Sequence, residues 1–285
     1  MLHVTEAQVA ELLTPAVAFE AVEQSFHRLA RGAVDNPPRV RTDIAGGDFA
    51  VMPCVDHELG YAGLKAYAWL PNGTPFVVVL FSIADAELYA VIEAEHLGRL
   101  RTAAASAVAA KHLARADART LGIVGTGRQA AAHVDAMRAA LPRIERVVVS
   151  GRGAVEAFCA AHDCEPGDAS RCDIVVTATT SSTPVVEDVL PGSTVIGVGA
   201  NHLDQRELGD AVLARASFVC TDSRDQARLE SGDVAHVEPL HELQDVVTGA
   251  TTGRRSEDDV VVFKSNGLAA WDVAVAAATA ACASA

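Results

Sequence analysis

A glycine-containing turn between an apolar run and an amphipathic segment constrains the fold of this chain more than any other feature. The sequence predicts a strand over residues 120–124 and a helix over residues 128–140, and at their junction Gly125, Gly127 and Ala130 form a GxGxxA pattern in GTGRQA. Glycines permit a tight turn and let backbone N–H groups approach a diphosphate at the helix N-terminus. A second apolar run follows at residues 146–150, as a strand–helix–strand unit requires. The pattern therefore predicts a dinucleotide-binding loop over GTGRQ, residues 125–129.

The strand–helix alternation that starts at this loop continues toward the C-terminus and predicts a doubly wound parallel sheet. Before it, short alternating or apolar runs separated by Gly, Pro, Asn and Asp predict an antiparallel sheet over residues 37–93, with strands at residues 39–43, 49–52, 61–69, 76–82 and 88–92. An alanine-rich helix at residues 100–115 connects the two, and a second one at residues 267–285 is expected to pack on the first domain. The predicted fold class is α/β, a Rossmann domain at residues 115–264 plus an α+β domain formed by residues 1–114 and 265–285.

Composition and charge exclude several classes of partner. The chain of 285 residues has 37 acidic and 23 basic side chains, and its formal net charge of -14 repels nucleic acids and anionic membranes. No apolar run approaches the roughly 20 residues of a membrane span, and the N-terminus lacks a basic segment followed by an apolar one. The six cysteines lack the spacing of a zinc site. We therefore expect a cytoplasmic protein with no nucleic acid, membrane or metal partner.

The end of the second Rossmann strand predicts which dinucleotide binds. An Asp or Glu at this position accepts hydrogen bonds from the ribose hydroxyls of NAD. Here the strand ends VVVSGRG, which places Ser150, Gly151 and Arg152 where that carboxylate would stand. A hydroxyl and a guanidinium attract a 2'-phosphate. The sequence therefore favours NADP(H) over NAD(H).

Strand alternation sorts the polar residues of the first domain. Lys65 shares a face with Tyr61, Tyr67 and Trp69 in YAGLKAYAW, as Arg39 does with Arg41 in RVRTD. A lysine among large aromatic side chains is typical of a ligand-binding cleft. The same alternation also fits exposed charged residues whose aliphatic stems lie along the surface.

Motifs spread over most of the chain resemble the ornithine cyclodeaminase/mu-crystallin family in the family's order. This resemblance implies a Rossmann domain between N-terminal and C-terminal parts of a substrate-binding and dimerisation domain. It also implies a homodimer with NAD(P)-dependent chemistry on an amino acid or its imine. The matching segments are PPRVRTD, FAVMP, GLKAYA, RTAAASAVAAKHLAR, GIVGTGRQA, CDIVVTATTSSTPVV, VIGVGANHLDQREL, ESGDV and VFKSNGLAAWD.

The resemblance also implies roles for individual residues. Arg39, Lys65 and Arg101 match the positions that bind the substrate carboxylate, and Lys65 also reaches toward the reacting nitrogen. A bidentate arginine orients a carboxylate well. The remaining matches are cofactor contacts, namely Thr102, Thr179, Val198 and Lys264 in addition to the GTGRQ loop and Arg152.

One departure from the family decides between its reactions. In GVGAN, Asn201 stands where the cyclodeaminases have an Asp that serves as the acid/base group for amine transfer. An amide cannot take or release protons in this way. We therefore expect a reductase of α-imino acids, such as the cyclic ketimines pyrroline- or piperideine-2-carboxylate, with Lys65 and Asn201 as catalytic residues. Asp204 is a possible replacement for the missing Asp.

Three alternatives are open at this point. Two are enzymes, an alanine-type NAD(P)-dependent amino-acid dehydrogenase and an ornithine or lysine cyclodeaminase. The third is a non-catalytic protein that binds NADPH or another ligand, like the mu-crystallin branch of the family. Fold alone does not separate these possibilities.

Overall fold

The computed structural model describes residues 1–284, and its chain divides into two compact units. Unit 1 comprises Met1–Arg101 and the chain from Gly267 onward, and unit 2 comprises Thr102–Asn266. The first division falls inside the alanine-rich helix, whereas the sequence places it at residue 114, close to the end of that helix. Ala285, the last residue of the predicted helix and of the predicted first domain, lies outside the described residues.

Unit 1 is built on a mainly antiparallel sheet, which the alternating runs predict. Within residues 1–284 this sheet has seven strands in the order β1-β7-β6-β5-β4-β2, with β3 also paired to β4. The predicted strands at residues 61–69 and 76–82 are found with those bounds, and the added strand β1 pairs in parallel with β7. The strands are β1 (Leu2–Val4), β2 (Val34–Asp35), β3 (Val40–Ile44), β4 (Gly47–Asp56), β5 (Tyr61–Trp69), β6 (Phe76–Ser82) and β7 (Glu87–Glu93).

Helices cover one face of this sheet. Thr5 and Thr14 cap the first two helices through their side chains, and Pro15 occupies the first turn of the second helix. The C-terminal helix packs on β4, β5 and β6, as the sequence predicts, and Trp271 on it contacts Phe26 with ring centroids 5.2 Å apart. The helices of unit 1 are α1 (Glu6–Leu12), α2 (Pro15–Ala30), the start of α3 (Glu95–Leu113) and α9 (Ala269–Ser284).

Unit 2 contains a parallel sheet of the predicted doubly wound type. In the described part of the chain it has eight strands in the order β10-β9-β8-β11-β12-β15-β13-β14. The strand Val260–Lys264 is an addition to the predicted set and inserts between β12 and β13. The strands are β8 (Thr120–Val124), β9 (Arg146–Ser150), β10 (Glu165–Pro166), β11 (Ile174–Thr177), β12 (Thr194–Gly197), β13 (Ala216–Thr221), β14 (His241–Glu242) and β15 (Val260–Lys264).

The helices of unit 2 follow the strands, which confirms the predicted α/β fold class. The helix after the glycine turn begins and ends where the sequence predicts, and α3 begins at Glu95, before its predicted start. No helix within residues 1–284 combines the length and the apolar character that crossing a membrane requires. The helices are the rest of α3, α4 (Arg128–Ala140), α5 (Val155–His162), α6 (Asp210–Arg215), α7 (Arg224–Glu230) and α8 (Leu243–Val247).

Candidate functional site

The glycine turn lies where the order of the parallel strands reverses. β8 lies between β9 and β11, so the loops after β8 and β11 leave the sheet in the crevice where open α/β sheets bind ligands. Gly125 has φ +130°, and a Cβ at this position would lie 2.5 Å from the carbonyl oxygen of Ala178 in the loop after β11. Only glycine fits this close approach.

The N-terminus of α4 is shaped to receive an anion. Gly127 is its N-cap residue, makes no side-chain capping hydrogen bond and would have open space around a Cβ. The first-turn N–H groups of a helix attract a phosphate through their unpaired hydrogens and the helix dipole. The loop therefore fits the diphosphate of a dinucleotide.

The loop after β9 packs directly against the glycine turn. A Cβ on Gly153 would lie 2.2 Å from Oγ1 of Thr126, so the side chain of Thr126 occupies the space that any larger residue at 153 would need. Gly151 and Arg152 are exposed, and Ser150 is half-buried at the end of the strand. The structure thus brings the predicted 2'-phosphate residues next to the predicted diphosphate loop.

Two further loops at this edge are joined by a buried acid that sequence reasoning did not select. Glu207 is fully buried and accepts hydrogen bonds from the backbone N–H of Thr179 at 2.8 Å and of Gly199 at 2.6 Å. It also accepts from the hydroxyls of Thr179 at 2.7 Å and Thr177 at 2.9 Å. The loop after β11 and the loop after β12, which contains Val198, are therefore held by one side chain. Glu207 is the Glu of REL, at the end of the matching segment VIGVGANHLDQREL.

Lys264 ends β15 at the same edge of the sheet, but its amine is not exposed. Its Nζ donates to the carbonyl oxygen of Ser265 at 2.7 Å, and burial lowers the pKa of the amine. The alkyl chain passes close to Gly197, where a Cβ would lie 3.2 Å from Cδ of Lys264. The backbone carbonyl of Lys264 in turn accepts a hydrogen bond from the Thr221 hydroxyl at 2.8 Å.

A buried Ser–His pair links two of the predicted cofactor residues. The Ser106 hydroxyl lies 2.9 Å from Nε2 of His133 and 3.3 Å from the carbonyl oxygen of Thr102. Nδ1 of His133 lies 2.7 Å from the carbonyl oxygen of Gln129, in the first turn of α4. Burial lowers the pKa of His133 to about 4. The neutral ring therefore ties α3 to the start of α4.

The predicted substrate residues of unit 1 also come together. Lys65 on β5 and Arg101 on α3 are both buried, and each lies close to Oδ1 of Asp272, at 3.4 Å from Nζ of Lys65 and 2.9 Å from Nε of Arg101. Arg39 donates to the hydroxyl of Tyr67 at 3.0 Å. The structure thus gathers three basic groups around the face of the sheet that holds Lys65.

The environment of Lys65 brings its titration into the neutral range. Burial, and next the positive charge of Arg101, lower the pKa of the Lys65 amine to about 7, although Asp272 opposes this change. The Nζ atom also lies 5.6 Å from the ring centroid of Tyr67 and 5.5 Å from that of Phe76, distances that favour the charged form. An amine with this pKa can donate or accept a proton near neutral pH.

Asp272 is the second residue that sequence reasoning missed. It is fully buried on α9, and its Oδ2 atom has no hydrogen-bond partner within the described residues. The signal is present in the sequence, because this Asp closes the matching segment VFKSNGLAAWD and stands in an otherwise apolar helix. An acid in such a helix requires a buried cationic partner.

Asn201 follows β12 and is half-buried, a short distance along the chain from the Gly199 amide that Glu207 holds. Asp204, the possible replacement for the missing acid, has an exposed side chain. No group of three or more His, Cys, Asp or Glu side chains in residues 1–284 is arranged to hold a metal ion.

A family model named the ornithine cyclodeaminase/mu-crystallin family matches residues 1–281. This chain belongs to the ornithine cyclodeaminase/mu-crystallin family. A member of it from Azospirillum brasilense, Delta(1)-pyrroline-2-carboxylate/Delta(1)-piperideine-2-carboxylate reductase, is 35% identical over 292 residues, which cover 94% of this chain and 91% of the relative.

Two solved structures of this family share the fold over nearly the whole chain. The Thermococcus litoralis Delta(1)-pyrroline-2-carboxylate reductase in complex with NADH and L-proline has a TM-score of 0.91, 25% identity and coverage of 99% of this chain and 97% of its own. An archaeal alanine dehydrogenase dimer with bound NAD has a TM-score of 0.92, 32% identity and coverage of 99% and 96%.

Replacement of Glu207 by Gln tests the link between the loops after β11 and β12. The amide nitrogen of Gln cannot accept the hydrogen bonds that a carboxylate oxygen accepts, so buried donors lose their partner. We expect the free energy of unfolding to fall by about 1–3 kcal/mol and the Gly199 amide to exchange faster with deuterium. Urea denaturation and hydrogen-exchange measurements check this, with Glu156→Gln on the exposed side of α5 as the control. Equal effects of the two substitutions would contradict the assigned role.

Proposed function

We propose that this protein is an NAD(P)H-dependent reductase of α-imino acids, with a cyclic ketimine such as pyrroline- or piperideine-2-carboxylate as substrate. The observation that carries the proposal is the cluster of Arg39, Lys65 and Arg101, in which Lys65 has a pKa of about 7. Such a cluster can bind one carboxylate and supply a proton beside it. The names of the Azospirillum and Thermococcus relatives support a substrate of this kind.

The residues of unit 1 have separate tasks in this proposal. Arg39 and Arg101 bind and orient the carboxylate of the substrate. Lys65 donates the proton that the imine nitrogen gains as the C=N bond is reduced. In unit 2, Asn201 hydrogen-bonds the substrate or a bound water molecule. Residues 1–114 and 265–285 form the substrate-binding part in this proposal, and residues 115–264 bind the cofactor.

A nicotinamide dinucleotide supplies the hydride that the imine carbon accepts. The backbone of the GTGRQ loop and the N-terminus of α4 bind its diphosphate, and Ser150, Gly151 and Arg152 bind the adenosine end. Thr102, Thr179, Val198 and Lys264 complete the proposed contacts. Because the Thr179 hydroxyl donates to Glu207, it contacts the cofactor as an acceptor. NADP(H) is preferred, because the strand end presents an exposed arginine and no carboxylate.

A second candidate reaction is amino-acid dehydrogenation of the alanine type, which the archaeal alanine dehydrogenase favours. It differs in that the imine is acyclic and forms from a 2-oxo acid and ammonia. Cyclodeamination is disfavoured because Asn201 lacks an ionisable group and because Asp204 is exposed.

We propose a homodimer that forms through the outer face of the unit 1 sheet. This face comprises the side chains of β4, β5 and β6 that point away from α9, and they are apolar and only partly covered in one chain. A continuous apolar face of this kind is typical of an obligate interface. The dimer of the archaeal alanine dehydrogenase supports a second copy as the occupant. The outer face consists of Phe49, Val51, Pro53, Val55, Ala62, Leu64, Ala66, Ala68, Val77, Val79 and Phe81.

A substrate panel tests the reaction. Purified protein should consume NADPH with pyrroline- or piperideine-2-carboxylate, and should release no appreciable ammonia from ornithine or lysine with catalytic amounts of nicotinamide. Nicotinamide absorbance and an ammonia assay measure both. The variant Lys65→Met should lose about 100-fold or more in turnover because it lacks the proton donor, while NADPH affinity stays nearly unchanged. Ammonia release that Asp204→Asn abolishes, or turnover confined to pyruvate with ammonia, would contradict the proposed reaction.

Cofactor choice is tested at the end of β9. Replacement of Arg152 by Ala removes a charge-assisted contact of about 1.5–3 kcal/mol, so NADPH affinity should fall roughly tenfold to hundredfold. NADH affinity should not change. Fluorescence titration measures both, and Arg146→Ala, at the opposite end of the same strand, is the matched control. Equal or tighter binding of NADH than NADPH by the parent protein would refute the preference.

The proposed dimer is tested on its exposed apolar residues. Phe81 is 44% exposed in one chain, and Phe81→Glu would bury a carboxylate in the interface, which is unfavourable by several kcal/mol. Light scattering after size exclusion should show a dimer for the parent and a monomer for the variant. Leu229→Glu, at a residue of α7 that is 64% exposed, should remain dimeric. A parent protein that is monomeric at micromolar concentration would rule out this interface.

A further inference from the structure

Asp272 is the acid that offsets the basic cluster of unit 1. It comes from α9, whose neighbouring residues are buried and apolar, and it reaches Arg101 on α3, 171 residues away in sequence. Its Oδ1 atom is shared between Arg101 and Lys65. A buried charge is tolerated only when it is paired, so these contacts hold all three side chains in one arrangement.

We propose that Asp272 is a positioning residue that fixes the Lys65 amine beside Arg101 and keeps this amine charged for the substrate. The proposal rests on the proposed function, in which the charged Lys65 amine donates its proton to the imine nitrogen. Asp272 acts through Lys65 and is not itself the proton donor. Without its negative charge, Lys65 and Arg101 would lose the carboxylate oxygen that they share.

Asp272 is the negatively charged group that opposes loss of the Lys65 proton, and the rings of Tyr67 and Phe76 act in the same direction. Burial and the charges of Arg101 and Arg39 all lower the pKa of the amine, whereas Asp272 raises it. The strands on either side contribute apolar side chains at the positions opposite Lys65, Met52 on β4 and Val78 on β6. The polar and charged groups that face Lys65 are Arg39 before β3, Tyr67 on β5, Arg101 on α3 and Asp272 on α9.

The sign of the effect follows from these contacts. Because the Asp272 carboxylate favours the charged amine, Asp272→Asn should lower the pKa of Lys65 further below its value of about 7. An opposite charge at this distance changes a pKa by about 1–3 units. The amide oxygen of Asn can still accept from Arg101, so the substitution removes the charge and conserves the shape. As the pH rises, substrate affinity should therefore begin to weaken at a lower pH in Asp272→Asn than in the parent, because the Lys65 amine loses its proton at a lower pH.

The chain allows a direct measurement, since Lys65, Lys111 and Lys264 are its only lysines. Protein labelled with 13C at lysine Cε gives three signals, and the signal that Lys65→Met lacks belongs to Lys65. In the parent its titration midpoint should lie near 7. In Asp272→Asn this midpoint should move down by about 1–3 pH units. In Asp272→Glu, which keeps the negative charge, the midpoint should lie closer to that of the parent. The alkaline limbs of the pH profiles of KM and kcat should both move to lower pH, because Lys65 both binds the carboxylate and donates the proton.

A buried acid in the same sheet provides the control. Asp56 is fully buried and pairs with Arg28, with Nε and Oδ2 2.7 Å apart. Asp56→Asn should lower stability as Asp272→Asn does, but it should leave the Lys65 midpoint in place. An unchanged midpoint in Asp272→Asn, or equal shifts in both variants, would overturn the proposal. If Asp272→Asn does not fold, Asp272→Ser is titrated in its place, and an unchanged Lys65 midpoint in that variant would overturn the proposal.

The same titration separates this proposal from the proposed function. Pyrrole-2-carboxylate, a planar cyclic carboxylate with no reducible imine, should raise the Lys65 midpoint when it binds, because it adds a negative charge. A shifted midpoint in Asp272→Asn supports the positioning role with or without this ligand. If the ligand does not move the parent midpoint and no cyclic ketimine is turned over, the proposed reductase activity is contradicted. A lower Lys65 midpoint in Asp272→Asn would still support the positioning role of Asp272.

Discussion

The buried contact between Asp272 and Arg101 connects the last helix of the chain to the helix that follows the antiparallel sheet. α9 is buried from Ala269 to Val275, it packs on β5, and Asp272 is the acid in its first turn. The contact also fixes Lys65, because the same oxygen serves both basic groups. One buried acid thus links three elements of unit 1, α9, α3 and β5, at the place where its basic side chains meet.

Much of the fold could be predicted from local sequence. The strands β5, β6, β8 and β9 and the helix α4 have the predicted bounds, because alternation, apolar runs and glycine turns are local signals. The strand β15 was not predicted, since VVVFK is a short apolar run that periodicity alone does not assign to a strand or a helix. Its place between β12 and β13 depends on pairing with distant strands.

The candidate site was predictable to a different extent in each unit. In unit 2 the residues of interest follow the carboxyl ends of neighbouring strands, so the parallel topology itself gathers them. In unit 1 alternation places Lys65 and Tyr67 on one face, but it cannot distinguish a buried lysine from an exposed one. Asp272 and Glu207 were missed because their partners lie 171 and about 30 residues away, and no local pattern indicates such pairs.

The contact between Thr126 and Gly153 has a consequence for how cofactor preference can change during evolution. The Thr126 hydroxyl fills the space where a side chain at residue 153 would start, so a substitution there requires the Thr126 side chain to move. Residues 150 and 152 have no such restriction, and Arg152 is exposed. Selection can therefore exchange the side chains at these two positions more readily than at residue 153, and the contact between the loop after β9 and the glycine turn stays in place.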